Sequence, residues 1–257
     1  MVANENKENA DKITSDIVDF LTRQGKFCSL TATAVDCIIA LGGDGTLLRA
    51  AADHAHLGAP FLGINLGNLG FLAEVDKSHV EQSLTQLING EYEIEERMML
   101  SGRPDGTSEG HSALNDIVVA GQKSMQLIYF SLYVNKILLS SYVADGMIIS
   151  TPTGSTAYNL SAGGPIIEPR TQAILLTPIC AHSLKSRSIV LSAFDEVTLE
   201  IEAGKAGSRQ ECVAIFDGHH RLELKTDERL NICKATKTTA IVRLSKSNFL
   251  ERLKQKL

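Results

Sequence analysis

The chain is poor in the residues and patterns that would mark a secreted, membrane-spanning or nucleic-acid-binding protein. Its 257 residues hold five cysteines, Cys28, Cys37, Cys180, Cys212 and Cys233, scattered and without a Cys-x-x-Cys pair. An odd, dispersed set excludes a disulfide framework or structural zinc site and makes a reducing cytoplasm the expected location. There is no His-Glu-x-x-His and no Cys/His spacing suited to zinc, so no metal ligands are assigned. Lysine and arginine (25) are outnumbered by aspartate and glutamate (30), giving a net charge of -5. No basic stripe with interleaved aromatics occurs, so nucleic acid is not an expected partner. No apolar run approaches a membrane span, and the polar, acidic start lacks a signal-peptide pattern, so no membrane partner is expected either. No Gly-Lys-Ser/Thr follows a glycine loop, which excludes a Walker A site.

What is present begins with IIALGGDGTLLR at 38–49. The apolar run Ile38-Ile39-Ala40-Leu41 breaks into Gly42-Gly43-Asp44-Gly45-Thr46, and periodic apolar residues follow at Leu47, Leu48, Ala51 and Ala52. That is a buried strand, a glycine turn and a helix start. Glycines bring backbone close to a ligand, and a helix N-terminus offers free N–H groups to an anion. Asp44 is out of place in a pure phosphate cradle. It points to a site that also needs a base or a metal ligand. The plainer alternative makes Asp44, or Thr46 in its stead, a helix cap. The dinucleotide fingerprint fits poorly, because Leu48 stands where its third glycine belongs.

Residues 9–24 place Ile13, Ile17, Phe20 and Leu21 on one helical face, with Gly25 as its stop. Lys26–Leu30 reads as a short strand, 60–65 as a buried one, and Ser78-His79-Val80-Glu81 as a capping box opening a helix that runs to Gly90. Strands alternating with helices imply a parallel sheet flanked by helices. Near residue 92 the pattern changes, and strand candidates dominate to about residue 245. They include 113–120, 125–134, 137–143, 146–150, 173–177, 187–192, 196–203, 211–216 and 221–225. Val197, Leu199 and Ile201 alternate with polar residues, as in a sheet with one solvated face. The expected organisation is therefore an α/β domain over 1–95 and a β-rich, mostly antiparallel domain over 96–245. A C-terminal helix at 246–257, with Asn248 and Glu251 as a capping box, would pack back on the first.

The stretch ADGMIISTPTGSTAYNLSAGGP at 144–165 carries seven hydroxyls, at Ser150, Thr151, Thr153, Ser155, Thr156, Tyr158 and Ser161. Hydroxyls donate and accept, which suits a ligand rich in sugar hydroxyls and amides. Asp145 is placed to accept from a ribose or a carboxamide. The alternative is a loop that bonds only to itself. Asn115-Asp116 sets an amide beside a carboxylate, a pair able to read a purine edge and a ribose hydroxyl. Asp217-Gly218, before His219-His220, reads as a turn first.

Four blocks now carry a resemblance: LGGDGTLLRAA at 41–51, GINLGNLGFLAEV at 63–75, ALND at 113–116 and DGMIISTPTGSTAYNLSAGGPII at 145–167. In order and spacing they resemble the NAD kinases. The first block also resembles the loop of lipid kinases and phosphofructokinases; the fourth is specific. The resemblance implies transfer of the γ-phosphate of ATP to the adenosine-ribose 2′-hydroxyl of NAD, giving NADP, with Mg²⁺ or another divalent cation supplied with ATP. It implies a homodimer or homotetramer. By matching block it makes Asp44 the catalytic carboxylate, with Gly42, Gly43, Gly45, Thr46 and Arg49 on the phosphate side. Phe71 and Asn115 would contact adenine and Asp116 a ribose. Asp145, Thr153, Thr156, Ala157, Tyr158, Ser161 and Arg187 would complete the NAD pocket. Only Met1-Val2-Ala3-Asn4 precedes the first helix where the family carries a full strand, so a curtailed first strand is expected. The rival functions are a lipid or sugar kinase sharing the glycine loop and a non-catalytic NAD(P)-binding sensor.

Overall fold

The structure is a computed structural model and describes residues 1–3, 10–29, 34–67, 70–123, 126–182, 186–245 and 249–256. It divides into two compact units, Met1–Arg97 with Thr239–Leu257, and Met98–Thr238.

The first unit is α/β. Its elements run β1 (Val2–Ala3), α1 (Ala10–Arg23), β2 (Ile38–Gly42), α2 (Asp44–His54), β3 (Phe61–Asn65), β4 (Val75–Asp76), α3 (Val80–Asn89) and the start of β5 (Glu93–Pro104). β2 and β3 are buried along their whole length and pair in parallel from Ile38↔Phe61 to Gly42↔Asn65. A strand covered on both faces reads as a continuous apolar run, which is how the sequence announces them. The first strand is present with two residues, parallel to β2 at Val2↔Ala40 and Ala3↔Leu41. On the far side of β3, β4 joins in parallel, as does Ile241 opposite Phe61. Ile17 and Leu21 of α1 are buried with Leu41, Leu62, Ile64 and Leu84 in one core cluster, with Ile13 and Phe20 against it. Each side chain fully buried there contributes about 1.5–3 kcal/mol.

Two expectations fail here. Lys26–Ser29 forms no strand (Leu30 lies outside the described residues), and its first amide instead closes α1, Lys26 N donating to Leu21 O at 2.9 Å. Ser78 and Glu81 form no capping box. Asp76 does the capping, accepting from Ser78 N at 2.8 Å and Ser78 Oγ at 2.6 Å at the head of a 3₁₀ turn that leads into α3. The 78–81 spacing fits a box, but the carboxylate two residues upstream takes the hydroxyl first. Asn248, of the other expected box, lies outside the described residues.

The second unit is a two-sheet β structure. It takes the rest of β5, then β6 (His111–Ala113), β7 (Asp116–Gly121), β8 (Ile128–Val134), β9 (Ile137–Ala144), β10 (Gly146–Ser150), β11 (Ala173–Ile179), β12 (Ile189–Ser192), β13 (Val197–Ile201), β14 (Glu211–Phe216), β15 (His220–Lys225) and most of β16 (Arg229–Arg243). One sheet has the order β12-β11-β10-β7-β14-β15, antiparallel throughout. In the other, β13 lies between β16 and β8, and β9 forms the edge beyond β8. A single core cluster draws Ile117, Val119, Met147 and Phe216 from the first sheet and Phe130, Leu132, Val197 and Leu199 from the second. Packing two inner faces in this way requires period-two patterning, and β13 alternates buried and half-buried as its sequence predicts. All five cysteines are free, and burial pushes Cys37 up to about 12 and Cys212 to about 11. Among the described residues no helix is long and apolar enough to cross a membrane.

Candidate active site

The glycine turn sits at the C-terminal end of β2, where α2 begins. Gly43 occupies the position before the helix and Asp44 is its first residue; neither Asp44 nor Thr46 caps it by a side-chain bond. Thr46 is buried instead, under Gly42, where an added Cβ would lie 2.1 Å from Thr46 Oγ1. Gly43 and Gly45 have nothing within 4 Å of an added Cβ, so the face at the helix start is open. Arg49 is exposed one turn further on.

The Asp44 carboxylate does not point idly outward. Oδ2 accepts from Phe71 N at 2.7 Å, and Oδ1 accepts from Leu72 N at 3.1 Å and Ala73 N at 3.0 Å. Three successive amides of the loop after β3 thus converge on one side chain. Such closeness needs Gly70, whose added Cβ would fall 1.9 Å from Asp44 Oδ1. A carboxylate has about four lone-pair positions, so one remains for a ligand. The Phe71 ring lies 6.1 Å from that of Phe249 in the C-terminal helix (Phe249–Lys256), with the Lys256 ammonium 4.8 Å above it.

In the second unit a like arrangement forms around Asp217. Its Oδ2 accepts from Leu114 N at 2.6 Å, and its Oδ1 from Asn115 N at 2.7 Å and Asp116 N at 3.1 Å. Asp217 has a left-handed φ of 48° and its own N–H donates to Asp116 O at 3.0 Å. The turn at 150–154 locks onto the same segment. Thr151 N donates to Asn115 O at 2.8 Å, Thr151 Oγ1 to Leu114 O at 2.6 Å and Ser150 Oγ to Asn115 O at 3.1 Å. An added Cβ on Gly154 would meet Asn115 O at 2.2 Å. Asn115 and Asp116 are therefore held rigidly against the 150–154 turn, within which Thr153 is buried. Asn115 Oδ1 is buried with no hydrogen-bond partner, an acceptor waiting for a donor.

Burial first, and then the neighbouring Asp217, push the Asp116 carboxyl up to about 7. Burial also raises Asp217, but its three N–H donors favour its anion, so Asp116 is the member of the pair that takes up a proton first as pH falls. Beyond Asp217, His220 stacks on His111 at 4.7 Å, and burial followed by His220 holds His111 below its ordinary value.

The seven hydroxyls divide. Ser150, Thr151 and Ser155 bond to backbone, the first two reaching the 114–115 segment and Ser155 Oγ donating to Pro152 O at 2.7 Å and accepting from Ile167 N at 3.0 Å. These three are not among the residues the resemblance assigns to NAD, and their hydroxyls hold the turn together and to the 114–115 backbone. Thr156 and Ala157 are half-buried, and Tyr158 and Ser161 are exposed on the one-turn helix Tyr158–Ser161. Asn159 anchors that helix from beneath, donating to Ser155 O and Pro165 O, both at 3.0 Å, and accepting from Thr177 Oγ1 at 2.7 Å. Asp145 is half-buried, its N–H bonded to Ile179 O at 3.0 Å. Arg187 is exposed and lines a cavity of about 320 Å³ with Ser140, Ser141, Tyr142 and His182. The structure thus gathers Asp44 with Phe71 in one unit, and Asn115, Asp116 and Thr153 in the other.

Two families cover this architecture. The ATP-NAD kinase N-terminal domain matches residues 1–92, and the ATP-NAD kinase C-terminal domain matches residues 114–244. The NAD kinase of Lachnoclostridium phytofermentans is 39% identical over 276 residues, covering 100% of this chain and 97% of that protein. The chain belongs to the NAD kinase family. The NAD kinase of Lachnospira eligens is 41% identical over 240 residues, covering 89% of this chain and 82% of that protein. Among solved structures, yeast NADH kinase complexed with NADH superposes with a TM-score of 0.76 at 27% identity, over 86% of this chain and 65% of that one. An NAD kinase from Archaeoglobus fulgidus in complex with ATP shares the fold, with a TM-score of 0.79 at 24% identity over 96% and 95% of the two chains.

In this NAD kinase family member Asp217 sits in a turn, as its sequence reads, but reasoning from sequence missed its grip on the 114–116 amides and the cations behind Phe71–Ala73. The Asp-Gly dipeptide was the available signal for Asp217. Its bonds reach across 101 to 103 residues, which no local pattern encodes.

Proposed function

We propose that this protein transfers the γ-phosphate of Mg²⁺–ATP to the 2′-hydroxyl of the adenosine ribose of NAD, producing NADP. The observation that carries the reading is Asp44, a carboxylate on the first residue of α2 whose three amide bonds fix it and leave one acceptor position. Phosphoryl transfer needs mainly in-line positioning and charge neutralisation. The open helix start at Gly43 and Gly45 supplies N–H groups and a positive dipole end for the triphosphate. Asp44 orients the 2′-hydroxyl and takes its proton as the oxygen attacks the γ-phosphorus. Such general-base help is worth roughly 10²–10⁴-fold.

The unpartnered Asn115 Oδ1 supports recognition of the adenine amino group, and Asp116 offers its carboxyl to a ribose hydroxyl. Thr153, Thr156, Ala157, Tyr158, Ser161, Asp145 and Arg187 complete the proposed NAD set, and Phe71 its adenine side. Among the described residues no three His, Cys, Asp or Glu side chains are grouped to hold a metal. In the proposed reaction magnesium enters with the nucleotide as substrate.

We extend the proposal to a cytoplasmic homodimer or homotetramer. The edge strand β9 exposes Ile137, Leu138 and Leu139 in succession. An uncharged apolar edge of that kind favours association. Sedimentation of the purified protein tests it.

The reaction is tested with Asp44→Asn in an assay that couples NADP formation to NAD and Mg²⁺–ATP. Turnover should drop by roughly 10²–10⁴-fold while NAD still binds. Wild-type turnover in the variant would remove Asp44 from the chemistry. NAD binding by the unmutated protein with no NADP formed would favour the sensor.

A further inference from the structure

The loop that grips Asp44 is itself gripped from behind. Phe71 O accepts from Arg252 Nη1 at 3.1 Å, and Leu72 O accepts from Arg243 Nη1 at 3.1 Å. Both arginines are buried, at 8% exposure. Glu74 binds them together, pairing with Arg252 Nη2 and with Arg243 Nη1 at 3.3 Å, while accepting from Leu244 N at 2.6 Å. Glu95 joins Arg243 to Arg97 at 2.7 and 2.9 Å. Buried cations keep their charge only when so paired.

The peptide bookkeeping matters. Phe71 C=O and Leu72 N–H belong to one peptide group, and Leu72 C=O and Ala73 N–H to the next. A cation on the carbonyl polarises its peptide and makes that N–H a stronger donor. Both peptides deliver their N–H to the same atom, Asp44 Oδ1, at 3.1 and 3.0 Å. Oδ2 receives only Phe71 N.

We infer that Arg252, with Arg243, is a positioning residue for phosphoryl transfer: the two guanidiniums act through the 71/72 and 72/73 peptides to anchor Asp44 Oδ1, leaving Oδ2 as the oxygen that meets the substrate hydroxyl. The C-terminal helix is thereby part of the catalytic apparatus without touching substrate. The inference rests on Asp44 acting as proposed above, and it commits to a chain of contacts that the proposed reaction alone does not require.

The test is a double-mutant cycle in the full chain between Arg252→Ala and Asp44→Asn, read as kcat and KM for NADP formation. Arg252→Ala should lower kcat roughly ten- to a hundredfold, the scale of a small misplacement of a reacting group. KM for both substrates should stay within about threefold, and millimolar guanidinium should restore much of the loss. In the Asp44→Asn background the same change should cost less than about twofold, since the anchored group is already gone. Lys254→Ala, on the same helix and exposed, should leave kcat unaltered. Arg252→Lys, which keeps one cationic contact, serves if the alanine variant fails to fold, and should fall between wild type and alanine. An equal loss of kcat in both backgrounds, or a lowered Tm with kcat retained, would overturn the inference. Full turnover by Asp44→Asn alone would instead overturn the reading of Asp44, a separate result.

Discussion

Replacing Asp116 by asparagine should change how stability depends on pH, and the structure sets the size of the change. Asp116 is 6% exposed, and its carboxyl is pushed up to about 7 by burial and by Asp217. In an unfolded chain the same group titrates near its ordinary value, about 3.9. Between these two values the native state keeps a proton that the unfolded state has released. Stability therefore falls as pH rises, by about 1.4 kcal/mol per unit, and levels off once Asp116 ionises in the fold. The contribution is fully present below pH ~4 and lost by pH ~7, on the order of 4 kcal/mol in total. Asparagine has nearly the same shape and no proton to lose. The variant should match wild type near pH 4 and grow more stable relative to it up to pH ~7, with the gap constant above. Urea unfolding of both proteins at half-unit steps from pH 4.5 to 8.5 measures the gap, with Asp217 the neighbour whose titration the change also touches. Parallel stability curves would refute the reasoning. So would a gap that widens towards acid.

Gly70→Ala should displace the Asp44 carboxylate from its three amides, cutting turnover roughly 10²-fold and lowering Tm as charge-assisted bonds of about 1.5–3 kcal/mol each are lost. Wild-type turnover in the coupled assay would show that the three-amide grip is dispensable. Asp217→Asn keeps the side chain's shape but turns an NH₂ group towards amides that need an acceptor. Each charge-assisted bond lost costs about 1.5–3 kcal/mol, seen as a lower urea midpoint. The same change removes the charge that helps raise Asp116, so the pH window described above should narrow from its upper end. An unchanged window would mean that burial alone sets Asp116.

The parts of the fold written as continuous signals were legible. The run Ile38–Leu41 breaking at Gly42 located β2, its turn and α2, because an apolar run followed by glycine leaves few alternatives. β13 announced itself by alternation. The parts that depend on distant partners were not legible. Which of the seven hydroxyls serve the loop itself was not legible: Ser150, Thr151 and Ser155 donate to backbone carbonyls. Asp76 displaced the expected cap because a carboxylate two residues away outcompetes a spaced box. Asp217, Arg243 and Arg252 owe their importance to partners over a hundred residues away along the chain. The long strands β5 and β16 lie within the strand-dominated stretch, but their bounds were not legible, since their buried and exposed residues follow no simple alternation over most of their length.

The two aspartate grips differ in one respect that bears on how the protein assembles. Asp44 reaches amides 27 to 29 positions ahead of it, whereas Asp217 reaches back across 101 to 103. Short closures come early and cheaply in time, while long ones wait until most of the chain is already ordered. A destabilising change at Asp44 should thus appear chiefly as slower refolding, and one at Asp217 chiefly as faster unfolding. The same chemical device, used at two sequence distances, would report on the beginning and the end of one folding reaction.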